Sequence, residues 1–428
     1  MDGALWYNRS AFPNPERSVP DFFAFAGLRY DCDAAGTGLE ALAAPPYDVI
    51  DEDRRAALEA AAPHNAVRLL LPRDERDDGD RYARAADALA RWEATGVLVR
   101  DATPRLYSYR MAFRGPHGEP RHTRGVIGAL ALPEAGDPSL LPHERTVAKA
   151  KSDRLALLRA TRANLDPIWG LSLAAGVSDL LEPDSALATC VDADGVTHSL
   201  GAIDKPTRIA EIGAQVGGAP VVLADGHHRF ETACAYRDEL RAAGRDVGDA
   251  GAIMMLVVEL VDHELVIEPI HRLLELPDGV DLRARLADGF EIVDVAPYAA
   301  DRVDDLQQAM ADRHALGIVD RDGLALAVPR PDARANALAD EDPAVASTDA
   351  AVVEAMVKPR LPEATWRYWH DAATVAAQVD KGAVTAAILC SPVSVAQTRA
   401  AALDGARMPQ KTTFFTPKPL SGMVFRKF

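Results

Sequence analysis

Residues 221–240 read VVLADGHHRFETACAYRDEL. The stretch opens with a continuous apolar run, which is typical of a strand covered on both faces. Gly226 follows the run, and residues 229–244 have the composition of a helix. Strand, tight turn and helix in this order form the building unit of α/β folds. We therefore expect an α/β protein with mixed sheets.

The turn itself concentrates polar chemistry at the end of the predicted strand. Gly226 permits a tight turn, and the first N–H groups of the helix would then point, unpaired, into the space above the strand end. Arg229 supplies a planar fork suited to phosphate oxygens, and His227 and His228 could donate to the same oxygens. Asp225 could cap the helix, bind a divalent ion or accept a hydroxyl proton. The pattern predicts a phosphate-binding turn.

Simpler interpretations of the same residues stay open. An aspartate before a helix is most often an N-cap. Two adjacent histidines are more often exposed or satisfied in the core than ligands, and their different directions from a helix disfavour a shared metal. The combination of acid, glycine, histidines and arginine directly after an apolar strand favours function over these interpretations.

Charge and cysteine content exclude several classes of protein. The chain has 64 acidic residues against 47 Lys plus Arg, a formal charge of −17, which argues against nucleic acid and acidic membrane surfaces as partners. Its cysteines form no CxxC pair, which argues against a disulfide framework and a zinc knuckle. No basic segment precedes an apolar stretch at the amino end, and no run of about 18 apolar residues occurs. We expect a cytoplasmic protein; a homodimer is left open.

The chain reads as three regions. Residues 1–135 mix short strands and helices, and the Pro- and Gly-rich PEAGDPSLL at 133–141 marks a boundary. Residues 136–275 contain the turn, and residues 276–428 alternate strands and helices before a tail rich in Lys, Thr and Pro. We expect a central domain flanked by two further α/β regions.

Three basic residues outside the turn are candidates for nucleotide contacts. On a helix, Lys151 and Arg154 would be i, i+3 neighbours able to contact one phosphate-sized anion, although a solvated basic face explains them equally well. Lys411 lies in MPQKTTFFTPKPLSG at 408–422, whose prolines make it a poor helix. This segment is either a rigid loop that reaches back toward the site or a place where Phe414 and Phe415 pack.

Two motifs carry a resemblance to known proteins. DGHHR at 225–229, together with PHE at 142–144, resembles the ParB-like and sulfiredoxin-like superfamily, especially its free-serine kinases. A wider pattern looks like a large bacterial and archaeal family catalogued as a domain of unknown function, and spans nearly the whole chain. It comprises APPYDVI at 44–50, HERTVAKAKSDRLALLRATRANLDPI at 143–168, ADGHHRFETA at 224–233 and MPQKTTFFTPKPLSGMVFR at 408–426.

The kinase resemblance implies specific roles for these residues. Glu144 would be the general base that takes the proton of a substrate hydroxyl. Residues 226–229 would hold the phosphates of ATP or ADP, with His228 stabilising charge during transfer. Asp225 would position Mg²⁺ or substrate, and free L-serine would be the favoured acceptor, giving O-phosphoserine.

Two other functions use the same site. A phosphoserine phosphatase-like enzyme would run the chemistry toward hydrolysis, and a regulatory protein would bind nucleotide without turnover. Sulfiredoxin chemistry needs a cysteine where this chain has His227. A ParB-like DNA clamp is disfavoured by the negative charge and by the α/β region that follows the turn.

Overall fold

The structure, a computed structural model, describes residues 19–74, 80–115, 118–144, 151–299 and 302–428. They form two compact units, each discontinuous in sequence. The first comprises the described parts of Met1–Pro142 and Thr146–Val266 together with Pro417–Phe428, and the second comprises the described parts of His143–Arg145 and Ile267–Thr416.

The first unit is built on a nine-stranded mixed sheet. Its strands run in the order β6-β11-β8-β12-β5-β4-β10-β9, with β1 paired to β5. The strands of the unit, including two short pairs outside the main sheet, are β1 (Phe22–Phe23), β2 (Leu28–Tyr30), β3 (Leu98–Arg100), β4 (Leu106–Arg114), β5 (Pro120–Ala131), β6 (Leu140–Pro142), β7 (Ala163–Asn164), β8 (Ile168–Ser172), β9 (Ser185–Val191), β10 (Thr197–Ile203), β11 (Val221–Asp225) and β12 (Ala252–Glu259).

The described part of the first unit also contains α-helices. They are α1 (Cys32–Ala35), α2 (Leu39–Leu42), α3 (Glu52–Ala61), α4 (Val67–Leu70), α5 (Arg81–Ala94), α6 (Lys151–Thr161), α7 (Pro206–Val216) and α8 (His227–Ala242). Of these, α7 and α8 contact strands of the nine-stranded sheet. The α/β class with a mixed sheet, predicted from the strand, turn and helix at 221–242, is confirmed.

The centre of the sheet is buried on both faces. Every residue of β8 and β12 is buried, as are the first four of β11. The continuous apolar run at 221–224 is therefore explained by two-sided coverage, as its sequence predicts. The sheet joins strands from both sides of residue 135, and the division into three regions at 135 and 275 stays a prediction.

The second unit contains a six-stranded antiparallel sheet in the order β15-β17-β16-β19-β14-β18. The strands introduced here are β13 (Val266–Pro269), β14 (His271–Glu275), β15 (Phe290–Ala296), β16 (Leu316–Asp320), β17 (Gly323–Pro329), β18 (Thr365–Trp369), β19 (Ala386–Leu389) and β20 (Thr413–Thr416). The helices are α9 (Leu282–Leu286), α10 (Val303–Arg313), α11 (Pro331–Ala337), α12 (Pro343–Ala346), α13 (Asp349–Val352), α14 (Ala372–Asp380) and α15 (Val395–Leu403).

Two apolar clusters cover the two faces of this second sheet. Successive side chains of β14 point to opposite faces of the sheet, so Leu274 belongs to one cluster and Leu273 to the other. Helix α13 continues into a single π-helical turn, Val353–Val357, whose buried residues join the Leu274 cluster. Among the described helices of both units, none combines the length and apolarity needed to span a bilayer.

The tail 417–428 belongs to the core of the first unit. Its last strand, β21 (Arg426–Lys427), pairs with β7. Phe425 is fully buried, exchanges two backbone hydrogen bonds of 2.9 Å with Leu28, and packs edge-on against Tyr30 with ring centroids 5.7 Å apart. The tail is therefore an integral part of the fold of the first unit.

Shortening Phe425 to alanine should strongly destabilise the first unit. Removing a fully buried phenylalanine ring costs about 3–5 kcal/mol because the surrounding residues collapse only partly into the cavity. Urea unfolding followed by circular dichroism measures the loss. Val191→Ala is the control, since Val191 is 52% exposed and its shortening should change stability by roughly 0.5 kcal/mol or less. Equal effects of the two substitutions would contradict the buried position of the tail.

Candidate functional site

The turn between β11 and α8 has the geometry that its sequence predicts. The strand ends at Asp225, Gly226 adopts φ 91° and ψ 26°, and the helix begins at His227. A Cβ at Gly226 would lie 2.6 Å from Cγ2 of Ile168. Glycine is therefore required at this position for two reasons, the positive φ of the backbone and the close approach of β8.

Asp225 is part of an ion-pair network and does not cap the helix. Its two oxygens accept from Lys418 Nζ at 2.5 Å and from Arg229 Nη2 at 2.8 Å. Gly226 is the N-cap residue, and no described side chain caps α8. Of the roles that the sequence left open for Asp225, the N-cap is not adopted.

Arg229 bridges two half-buried carboxylates. Besides Asp225, it binds Asp166 Oδ2 through Nη1 at 2.5 Å, and the same nitrogen donates to Pro167 O at 2.9 Å. Its guanidinium also lies 5.9 Å from the ring centre of Tyr47. Both terminal nitrogens are thus engaged in holding the turn in place.

The two carboxylates respond to this environment in opposite ways. Burial acts to raise the pKa of Asp225, but the charges of Lys418 and Arg229 outweigh burial and bring the pKa down to about 2. Burial also raises the pKa of Asp166, and here the nearby Arg229 and Arg154 offset it only in part. Asp225 is therefore the more firmly ionised of the two.

Arg154 lies beside this network. Its guanidinium is 4.4 Å from the ring centre of Tyr47, and Nη1 donates to Leu70 O at 2.7 Å. A cavity of about 50 Å³, enough for a few water molecules, adjoins it. The cavity is lined by Arg154, Asp166, Arg229, Asn164, Thr232, Leu70, Leu157, Leu158, Ala163, Leu165 and Ile253.

The two histidines of the turn occupy the first positions of α8 and are partly buried. His228 Nδ1 lies 3.9 Å from Glu231 Oε2, and His228 O accepts from Thr232 Oγ1. Both histidines thus belong to the first turn of α8. This is where the sequence places a phosphate.

Glu144 lies in the second unit, where the segment 408–416 binds it. Its carboxylate accepts the backbone N–H groups of Lys411 and Thr412, each at 3.1 Å, and of Thr413 at 3.0 Å. The hydroxyl of Thr413 adds a further bond at 3.0 Å. Lys411 has φ 59°, which turns consecutive N–H groups toward one anion. Lys411 therefore contacts Glu144 through its backbone.

Both interpretations of the segment 408–422 hold for parts of it. It reaches back to Glu144, and its aromatic residues also pack. Phe415 is buried with its ring edge-on to His143 at 5.9 Å, and Phe414 stacks on His370 at 4.2 Å. Lys418, two residues after Thr416, is the residue that binds Asp225.

The predicted site residues thus fall into two groups. Asp225, residues 226–229 and Arg154 lie together in the first unit, while Glu144 and Lys411 lie together in the second. Strands β6 and β11 run parallel, and the PHE and DGHHR motifs begin at the last residue of each strand. The pairing of Glu144 with the turn stays a prediction. The side chain of Lys151 lies outside the described residues.

Comparison with known proteins places the chain in a family. Residues 22–351 match the family described as "Protein of unknown function (DUF1015)". The chain belongs to this family. The predicted membership of a domain-of-unknown-function family is confirmed, and no curated protein matches the chain.

Several solved structures are distantly similar to this DUF1015 chain. A conserved hypothetical protein from Pyrococcus furiosus is 12% identical, with a TM-score of 0.37, and the match covers 67% of this chain and 90% of that one. A free serine kinase variant in complex with AMP is 12% identical with a TM-score of 0.39, covering 68% and 88%. A variant in complex with ADP has the same identity and TM-score, covering 71% and 91%. Likenesses this distant carry no argument about function.

A protein-held metal does not fit the turn of the DUF1015 chain. Both oxygens of Asp225 are already in ion pairs, so a cation there would have to displace Lys418 or Arg229. Across the described ranges, no group of three or more His, Cys, Asp or Glu side chains could hold a metal ion.

Asp166 escaped the sequence prediction, and the partners of Lys418 and Tyr47 were left unassigned. Asp166, Lys418 and Tyr47 all contact the turn or its arginine, and each lies in one of the four segments that carry the family resemblance. Membership of those segments was the signal in the sequence that pointed to these residues. Their residue-to-residue pairing was not readable, because the partners lie 63 and 193 positions apart.

Gly226→Ala should destabilise more than the same change at another left-handed glycine. Gly195, in the turn between β9 and β10, has φ 78° and open space around a Cβ, so Gly195→Ala costs only the backbone penalty of about 1–2 kcal/mol. At Gly226 the clash with Ile168 should add roughly 1–3 kcal/mol. Urea unfolding of both variants measures the difference. Equal costs would show that β8 moves aside without strain.

Asp225→Asn should cost stability in a pH-dependent way. The pKa of Asp225 is about 2 in the fold, below the value of about 3.9 expected when unfolded, so its ionisation stabilises the fold above about pH 4. That contribution is lost as the pH falls through the folded pKa.

Urea unfolding of wild type and Asp225→Asn from neutral pH down to about pH 2.5 tests this expectation. The difference in the free energy of unfolding between wild type and Asp225→Asn should be largest near neutral pH and should decrease below about pH 4. Asp87→Asn, on the exposed side of α5, is the matched control. A gap at Asp225 that stays constant with pH would contradict the ion-pair assignment.

Proposed function

We propose that this protein is a nucleotide-dependent phosphotransferase that moves a phosphoryl group to the hydroxyl of a small metabolite, with free L-serine as the favoured acceptor. One observation carries the proposal. The uncapped N-terminus of the 16-residue helix α8 stands behind a glycine turn at the end of a buried strand, with two histidines beside it.

The helix terminus suits a phosphate. The first amides of a helix have no intrahelical acceptor, and the helix dipole adds partial positive charge at that end. The charge of Asp225 is offset by Lys418 and Arg229, so an incoming phosphate does not face an uncompensated carboxylate. In the proposal, His227 and His228 donate to its outer oxygens.

In this proposal, residues of the chain accept the substrate proton and stabilise the charge that develops during transfer. The substrate oxygen attacks the terminal phosphorus, the bond from phosphorus to the bridging oxygen breaks, and the hydroxyl proton passes to Glu144. His228 and the helix amides stabilise the charge that develops on the phosphoryl oxygens. Mg²⁺ in this proposal arrives bound to the nucleotide phosphates, as it commonly does, and supplies charge neutralisation there.

A second function is favoured by the surroundings of Glu144. Three backbone amides and one hydroxyl bind its carboxylate and occupy both of its oxygens. A regulatory protein that binds nucleotide at the turn without turnover would need Glu144 only to hold the segment 408–416.

Phosphorus NMR of the protein with Mg²⁺, L-serine and either ATP or ADP separates the two functions. The enzyme should form O-phosphoserine, and Glu144→Gln should lower turnover at least a hundredfold while nucleotide binding persists, because the proton acceptor is lost and the phosphate site remains. The surface variant Glu291→Gln is the matched control. His228→Asn should weaken nucleotide binding in either case, and His263→Asn, with its exposed side chain, should not.

The outcomes of this experiment are distinct. No product from a panel of hydroxyl metabolites, with nucleotide binding intact, would reject the kinase and support the regulatory protein. Release of phosphate from added O-phosphoserine without nucleotide would identify the hydrolytic alternative. If His228→Asn binds nucleotide as well as the control His263→Asn does, the turn is not the binding site.

A further inference from the structure

Arg272, on β14 of the second unit, is a buried cation whose guanidinium is only partly satisfied. The residue is 1% exposed. Nη1 donates to the backbone oxygen of Ile270, whereas Nε and Nη2 are buried without a hydrogen-bond partner among the described residues. Within the described ranges, no carboxylate lies within 4 Å of this guanidinium.

The unsatisfied atoms form one edge of the guanidinium. Nε and Nη2 carry parallel N–H groups, and this edge binds carboxylates and phosphates with two hydrogen bonds. The same edge does so elsewhere in this chain. Arg124 uses Nε and Nη2 on Glu264 at 2.8 and 2.5 Å, and Arg283 uses them on Asp320 at 2.7 and 2.8 Å. In Arg272 the same edge has no carboxylate partner among the described residues.

Neighbouring groups compensate for this charge only in part. The ring centre of Tyr368 lies 5.8 Å from the guanidinium carbon, a cation–π contact that replaces some of the lost hydration. Asp349 is near enough to interact electrostatically, but its carboxylate accepts the backbone N–H of Ser391 at 2.6 Å and forms no ion pair with Arg272. Burial raises the pKa of Asp349, which further weakens it as a counterion.

An unpaired buried charge is costly, and proteins bury arginine almost only with an anionic partner. The position of Arg272 in the sheet is firmly set, because β14 pairs with β18 on one side and β19 on the other. The side chain shares its face of the sheet with Leu274 and therefore lies against the core cluster. A rotation into solvent is not available to it.

We infer that Arg272 is the anchor of an oxyanion site in the second unit, which takes the carboxylate or phosphate group of a small ligand on its Nε and Nη2 edge. The π-helical turn Val353–Val357, which follows the helix that carries Asp349, is a second feature that often accompanies functional sites. The inference does not rest on the proposed kinase function, whose turn belongs to the first unit.

Thermal unfolding of the full chain in increasing inorganic phosphate, and separately in acetate, tests the site. Chloride keeps the ionic strength constant, and millimolar concentrations keep general salt effects small. The unfolding midpoint of wild type should rise and saturate in at least one of the two anions, because only the folded state binds. The stronger response identifies the ligand group.

Substitutions locate the binding. In the His228→Asn background, which removes phosphate binding at the turn of the first unit, Arg272→Met should abolish the saturable rise. Arg321→Met, whose side chain is 86% exposed on the turn after β16, should retain it. Arg272→Lys keeps the charge but loses the pair of parallel N–H groups, so the anion should bind at least tenfold more weakly. This variant replaces Arg272→Met if the Arg272→Met protein does not fold. Asp349→Asn should tighten binding by removing a nearby negative charge.

Two results would overturn the inference. One is the absence of a saturable rise in wild type, as expected if water bridges Arg272 to Asp349. The other is an equal rise in the Arg272 variants. The turn variant His228→Asn should keep the Arg272-dependent rise, so failure of the kinase proposal and failure of this one are told apart.

Discussion

The site in the first unit depends on one interaction, the bridge that Arg229 makes between Asp166 and Asp225. Each carboxylate alone would be an uncompensated charge in the protein interior, and the arginine between them makes their burial tolerable. Lys418 completes the network from the far end of the chain. The geometry of the glycine turn, and with it the direction of the first amides of α8, is set by this network.

The arrangement changes how the charged residues of the turn are understood. Both terminal nitrogens of the Arg229 guanidinium already bind carboxylates, so in the proposed function the helix amides and the two imidazoles are the groups that meet the ligand. The same logic applies to Glu144, whose carboxylate organises the segment 408–416. In both places, a charged residue of a type common in active sites also holds a loop or turn in position.

Local sequence was enough for the strand, the turn and the helix at 221–242. An apolar run, a glycine and a helical pattern act through neighbours in the chain, so their outcome is readable without a structure. The partners of the turn were not readable, because Asp166 and Lys418 reach it only through the topology of the sheet and the return of the tail. Arg272 was equally hidden: an arginine inside an apolar strand does not reveal whether its charge is paired.

The position of the tail also bears on how the chain is made. Residues 417–428 belong to the first unit, yet they are synthesised after the whole of the second. During translation the second unit can fold while the first still lacks Phe425 from its core and Lys418 beside Asp225. The nascent first unit therefore exposes an apolar gap until residues 417–428 have been synthesised.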